Sequence, residues 1–128
     1  MRLLISILFS GCFFQVNANN IKVGKQQQYH TITAAVAASK PGDTIIVDPG
    51  IYREKNLVIS KPLVLTGINH PVLDGEGKYE IISIKSGSVT INGFTLKHTG
   101  VSSMEDYAAI KIYNSKNVTV INNIIQDA

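Results

Sequence analysis

From residue 31 the apolar side chains fall at helical spacing, with Ile32, Ala35 and Val36 on one face and the small Ser39 beside them. Thr31 is placed to cap the N-terminus and Lys40-Pro41-Gly42 stops the run, so the pattern predicts a helix of about two turns. Beyond Gly42 the period changes. Alternating or short aliphatic runs over 44–48, 57–59, 63–66, 80–85, 89–98, 109–113 and 118–126 each read as strand. Turn residues separate them: Pro49-Gly50, Asp74-Gly75-Glu76-Gly77, Ser86-Gly87, Asn92-Gly93, Asn114-Ser115 and Asn122-Asn123. The outline is one capping helix followed by many short strands.

The strands repeat. Leu63-Val64-Leu65-Thr66-Gly67 matches Val89-Thr90-Ile91-Asn92-Gly93 at an offset of 26, and Val89-Thr90-Ile91 matches Val118-Thr119-Val120 at an offset of 29. Self-similarity at this period indicates a solenoid in which each coil buries its inward aliphatics against the next. The register predicts Val89, Ile91, Phe94 and Leu96 inside, Thr90 and Thr95 outside, and a bend at Asn92-Gly93. Asn122-Asn123 repeats that bend with one extra residue before Ile124, and asparagine there can take a left-handed conformation and bond to the next coil. The larger second offset comes from residues 100–107, which bulge out. A β-sandwich of hairpins is the competing reading, and Asn92-Gly93 alone would suit it, but hairpins do not explain matches at fixed offsets.

The first residues stand apart from this pattern. Met1-Arg2 is a positive start, residues 3–14 form an apolar run too short to span a bilayer, and Val16-Asn17-Ala18 is a small-residue cleavage signature. Residues 1–18 therefore read as a secretory signal peptide and 19–128 as the mature chain. A lipoprotein signal competes, because Ser10-Gly11 precedes Cys12. Cleavage after Ala18 removes Cys12, the single cysteine, and with it disulfide and thiolate-metal chemistry. A mature chain of this kind has no membrane span. Twelve Lys and Arg against nine Asp and Glu give a net charge of +3 without a basic cluster, which carries no nucleic-acid footprint.

Candidate chemistry is sparse. Hydrolysis of glycosides needs two carboxylates across a cleft, and the outward candidates are Asp74, Glu76, Glu80, Glu105 and Asp106. None has a recognisable partner at strand spacing. Asp74 and Glu76 interleave with Gly75 and Gly77 as in a turn, while Glu105 and Asp106 fall in the 100–107 loop, solvated or set for partner contact. For copper the imidazoles and thioethers are His30, His70, His98, Met1 and Met104, in no paired spacing. His98 and Met104 alone are close enough in sequence for a loop to bring together. Asn117-Val118-Thr119 fits a glycosylation acceptor by pattern only. No catalytic, cofactor-binding or metal-ligating residue is assigned on these grounds.

Thr31-Ile32 with Ala35-Val36, then Pro41-Gly42-Asp43-Thr44-Ile45, Pro49-Gly50-Ile51-Tyr52, Lys61-Pro62-Leu63 with Leu65 and Gly67, and Pro71-Val72-Leu73-Asp74-Gly75 follow one another in order. In this order they resemble the opening of the NosD-type nitrous oxide reductase maturation proteins, and Val89 to Phe94 and Asn122-Asn123 fit the coils of that family. The resemblance covers nearly all of 19–128. The Pro-Gly-Asp and Pro-Gly-x-Tyr elements are shared with other exported β-helices, including pectin esterases; the 61–75 stretch points more to NosD. The resemblance implies an all-β, right-handed parallel β-helix in the periplasm. It further implies a non-catalytic accessory that works with an ABC ATPase and permease, a copper-delivery protein and the client reductase in assembling a copper-sulfur centre. Family members continue for many more coils, so the resemblance also implies that the chain stops inside a coil, leaving the aliphatics Val118, Val120 and Ile124 unstacked. An exported carbohydrate-binding or carbohydrate-active β-helix is the alternative.

Overall fold

The computed structural model describes residues 18–127. In chain order the elements are β1 (Asn20–Val23), α1 (Ile32–Ala38), β2 (Thr44–Val47), β3 (Ile51–Tyr52), β4 (Leu57–Ile59), β5 (Leu63–Gly67) and β6 (Val72–Asp74). They continue through β7 (Ile82–Ile84), β8 (Val89–Asn92), β9 (Thr95–Lys97), β10 (Ile110–Ile112), β11 (Thr119–Ile121) and β12 (Ile124–Gln126). They build three sheets, ordered β1-β2-β5-β8-β11, β3-β6-β9-β12 and β4-β7-β10. Every pairing between these strands is parallel. The chain visits the five-, four- and three-stranded sheets in turn, which makes a parallel β-solenoid of about 4 turns and excludes the hairpin sandwich.

The repeat found in the sequence is the register of the longest sheet. Leu63 pairs with Val89 and Leu65 with Ile91, while Thr90 pairs with Thr119 and Ile91 with Val120. Val89, Ile91, Phe94 and Leu96 are wholly buried, and Ile45, Leu65 and Ile91 stack in one interior column. Each such side chain contributes about 1.5–3 kcal/mol by leaving water. Thr90 faces out and is half-buried. Thr95 differs from expectation: it is 9% exposed, set in register between Val72 and Ile124 on the neighbouring coils.

The Asn122-Asn123 bend contains no extra residue. Ile121 pairs with Asn92 and Ile124 with Thr95, so Ile125, rather than Ile124, shares the interior position of Leu96. The reason lies in Asn123, which occupies the place of Phe94 one coil on. Its Oδ1 accepts the Phe94 N–H at 2.8 Å and its Nδ2 donates to the Ile91 carbonyl at 3.0 Å. Asn122 takes the left-handed conformation expected of it, with φ 55°. The side-chain amide thus bonds the backbone at a corner where the strand ladder is interrupted.

Three strands were not visible in the sequence pattern. β1 precedes the helix, so α1 is not the first element; β3 is too short to show alternation, and β6 ends in residues that read as a turn. The helix has the predicted Thr31 cap, whose side chain accepts from the Ala34 N–H, and it buries Ile32, Ala35 and Val36. α1 lies against β1, β2 and β4, closing one end of the core. Glu54, from the next coil, completes its N-terminus. One carboxylate oxygen accepts the Ile32 N–H at 2.7 Å, and the other accepts the Thr33 N–H at 2.7 Å and the Thr33 hydroxyl at 2.6 Å. A carboxylate at unsatisfied helix N–H groups is favourable in both hydrogen bonding and dipole. Glu54→Ala is therefore expected to cost about 1–2 kcal/mol, read as a lower urea midpoint with unchanged slope.

The residues read as a signal peptide, Cys12 among them, lie outside the described residues, except Ala18. Among the described residues no helix is long and apolar enough to cross a membrane.

Candidate functional site

The polar side chains with the most developed environment gather where the chain turns from the four-stranded to the three-stranded sheet. Leu73 points into the core, so Asp74 at the end of β6 points out, yet it is only 7% exposed. Its Oδ1 accepts the Glu76 N–H at 2.8 Å and lies 3.0 Å from His98 Nδ1, while Oδ2 is 3.8 Å from Arg53 Nε. The Glu76 contact is the turn anticipated for this Asp-Gly-Glu-Gly stretch. The Asp74–His98 pair was not anticipated. It arises because Asp74 and Lys97 are register partners, which brings the following His98 over Gly75 on the coil before. A Cβ on Gly75 would lie 2.5 Å from the His98 carbonyl oxygen, so only glycine permits this approach.

His98 adopts φ 56° and is 44% exposed at its side chain. The Asp74 carboxylate accepts from Nδ1, and Nε2 lies 3.8 Å from Asp127 Oδ2 on the next coil. Burial pushes the Asp74 carboxyl up, but the Glu76 N–H, the His98 hydrogen bond and the charges of His98 and Lys97 outweigh it and hold the group below the ordinary aspartate range. Asp43, buried beside α1, is also lowered, by the Lys40 and Asn19 backbone N–H groups at 2.7 and 2.9 Å. A carboxyl that binds its proton more weakly when folded stabilises the fold above its unfolded pKa of about 3.9. That contribution is lost as pH falls through the lower folded value. Asp43→Asn should accordingly flatten the fall in denaturation midpoint below about pH 4, measured by urea titration across the acid range.

A second polar group centres on Glu80. Glu80 is 8% exposed; its Oε2 accepts the Tyr113 hydroxyl at 3.1 Å, and Oε1 has no partner among the described residues. Burial, the Glu80 hydrogen bond and the Glu80 charge raise the Tyr113 phenol, against an opposing Lys111. Lys85 and Lys111 place their ammonium groups 5.1 and 5.4 Å from the Tyr113 ring centroid. The 100–107 loop is pinned at both ends, by Gly100 N–H to the Tyr79 carbonyl at 2.9 Å and Ile81 N–H to the Ala108 carbonyl at 3.3 Å. Glu105 and Asp106 sit on it, exposed.

The remaining candidates are dispersed. His30 is exposed beside α1, and His70 has its Nε2 3.1 Å from the Asn122 carbonyl oxygen. Met104 is 92% exposed at the loop tip, and His98 is tied to Asp74 rather than turned to that loop. Met1 lies outside the described residues. Among the described residues no group of three or more His, Cys, Asp or Glu side chains converges as a metal site. What the corner offers chemically is an oriented imidazole with a buried carboxylate behind it.

The fold defines the class as a parallel β-solenoid with one capping helix. Comparison with protein-family models, with curated proteins and with solved structures finds no match to the chain.

Proposed function

We propose that the chain is a non-catalytic scaffold of the NosD type, exported to the periplasm, where it helps an ABC ATPase and permease assemble the copper-sulfur centre of nitrous oxide reductase. One observation supports this reading most: the motifs that carry the resemblance fall at the construction points of consecutive coils. Pro41-Gly42-Asp43 leads into β2, Pro49-Gly50 turns β2 into β3, Lys61-Pro62 leads into β5, and Pro71 and Gly75 bracket β6. Gly67 is confined by the Gly93 carbonyl, 2.6 Å from where a Cβ would stand. The outer surfaces of such a solenoid are rigid and serve well to hold protein partners. Deleting the gene in its host should leave the reductase synthesised but short of copper and without the visible absorption of its cluster. A deletion strain whose reductase carries its full copper complement overturns the proposal.

The carbohydrate reading is kept because of the Asp74–His98 pair, whose oriented imidazole is able to hold or move protons on a hydroxylated ligand. It expects heat of binding, or product release, from pectin fragments, abolished by His98→Ala. No heat and no product would remove it.

A further inference from the structure

Asp43 is 2% exposed and bonded to backbone at three points. Its Oδ2 accepts the Lys40 N–H at 2.7 Å, its Oδ1 accepts the Asn19 N–H at 2.9 Å, and its own carbonyl accepts the Val64 N–H at 3.0 Å. Yet no ion pair among the described residues involves it. Lys40 and Lys61 act on it only at longer range, and Lys61 gives its ammonium to the Ser39 carbonyl at 2.7 Å. A buried, charged carboxylate calls for a cation in contact. The donor at Asn19 is the first backbone nitrogen after Val16-Asn17-Ala18, the small-residue signature behind which a leader peptidase cuts. We propose that Asp43 is the receptor for a processed N-terminus: cleavage after Ala18 turns the Asn19 nitrogen into an ammonium that ion-pairs with this carboxylate and locks the first strand to the end of the helix.

The step is a hydrolysis. Water adds across the Ala18–Asn19 amide, its hydroxyl going to the Ala18 carbonyl carbon; the C–N bond breaks, and the Asn19 nitrogen leaves as an amine. At neutral pH that amine takes up a proton. It has no distance to travel. The Asn19 carbonyl accepts the Thr44 N–H at 3.0 Å and Asn20 pairs with Thr44, so β1 holds the nitrogen beside Asp43 before and after the cut. Asn19 and Asp43 also line a groove of about 490 Å³ with Lys22 and Gln28, which leaves space for water at the remaining ammonium protons. A charge-assisted hydrogen bond is about twice as strong as the neutral one it replaces.

The charged groups facing the ammonium are Asp43 in contact, Lys40 from the end of the helix, Lys61 from the turn before β5 and Lys22 from β1. The three lysines oppose it from farther away, and contact with Asp43 outweighs them. The ammonium therefore keeps its proton above the ordinary α-amino range of about 7.7–8.0. Its stabilisation is complete below that range and is lost as pH rises through the raised folded value. The inference rests on the export proposed above, and not on copper or the reductase.

The test starts with the chain purified from the periplasm of its host, its N-terminus read by mass spectrometry. It is expected to begin at Asn19, with an α-amine that titrates by NMR above about 8 and an unfolding midpoint that falls as pH rises past that value. Two variants remove the pair. A serine inserted after Ala18 moves the ammonium one residue outward, and Asp43→Asn removes the carboxylate charge. Both should lose the alkaline fall, and the serine insertion decides the matter if Asp43→Asn does not fold. A chain that begins at another residue, or carries a lipid on Cys12, overturns the inference together with the leader reading beneath it. A chain that begins at Asn19 but whose folded α-amine titrates in the ordinary range overturns the inference alone, as does a serine-extended chain with the same alkaline fall.

Discussion

Ile91→Asp is expected to unfold the protein or to lower its stability by about 4 kcal/mol or more, whereas Thr90→Asp, one residue away, should change it by about 1 kcal/mol or less. Ile91 is wholly buried and stacked between Leu65 and Val120. A carboxylate there has neither water nor a partner. Thr90 points the other way, half-exposed. Domains of this size are stable by about 5–15 kcal/mol, so the first substitution removes a large part of the total. Urea denaturation of the two variants decides the matter, and equal midpoints would show that the register is wrong. Val120→Asp gives a graded control. Val120 occupies the same interior column one coil on but is 41% exposed, so its cost should fall between the two.

The second large effect is expected from Gly75→Ala. A β-carbon at residue 75 would stand 2.5 Å from the His98 carbonyl oxygen and 3.0 Å from that of Tyr79, both backbone atoms with no freedom to swing aside. The coils would have to part, at a cost of about 2–3 kcal/mol. Gly77→Ala separates this steric cost from the conformational one. Nothing lies within 4 Å of its β-carbon, but its φ is +70°, so the penalty is about 1 kcal/mol. The two variants should therefore differ in a second observable. Gly75→Ala should shift the His98 ring resonances, because moving the 98 backbone pulls the imidazole from Asp74, and Gly77→Ala should leave them in place. Unmoved His98 signals in a folded Gly75→Ala protein would refute the close approach.

The interior of the solenoid could be read from the chain because it obeys a local rule. Alternation along Val89-Thr90-Ile91 and its echoes decides which side is buried, and the turn residues mark where coils bend. The helix was legible for the same reason, from Thr31 to its stop at Lys40-Pro41-Gly42. β3 has two residues, which is too few to display a period, β6 runs into the turn residues Asp74-Gly75-Glu76-Gly77, and β1 begins with Asn20 and includes Lys22. The corner site was hidden for another reason. Asp74 meets His98, Glu54 meets Thr33, and Glu80 meets Tyr113 across stacked coils whose lengths differ. The distance between partners along the chain is therefore not constant. The one usable signal for Asp74 was Gly75, placed where the next coil approaches most closely.

Unequal coil length has a practical outcome. Thr44 pairs with Val64, but Thr90 pairs with Thr119, and both pairs keep the same inward and outward sides. The additional residues between β9 and β10 leave the helical stack at Gly100 and rejoin it at Ala108, both anchored to the 79–81 backbone, with Val101 and Met104 more than nine-tenths exposed between them. Chain can thus be added there without lengthening any strand. An epitope or fluorescent module inserted between Ser102 and Ser103 would be displayed on a rigid stem, giving a handle for imaging or pull-down experiments that leaves the sheets untouched.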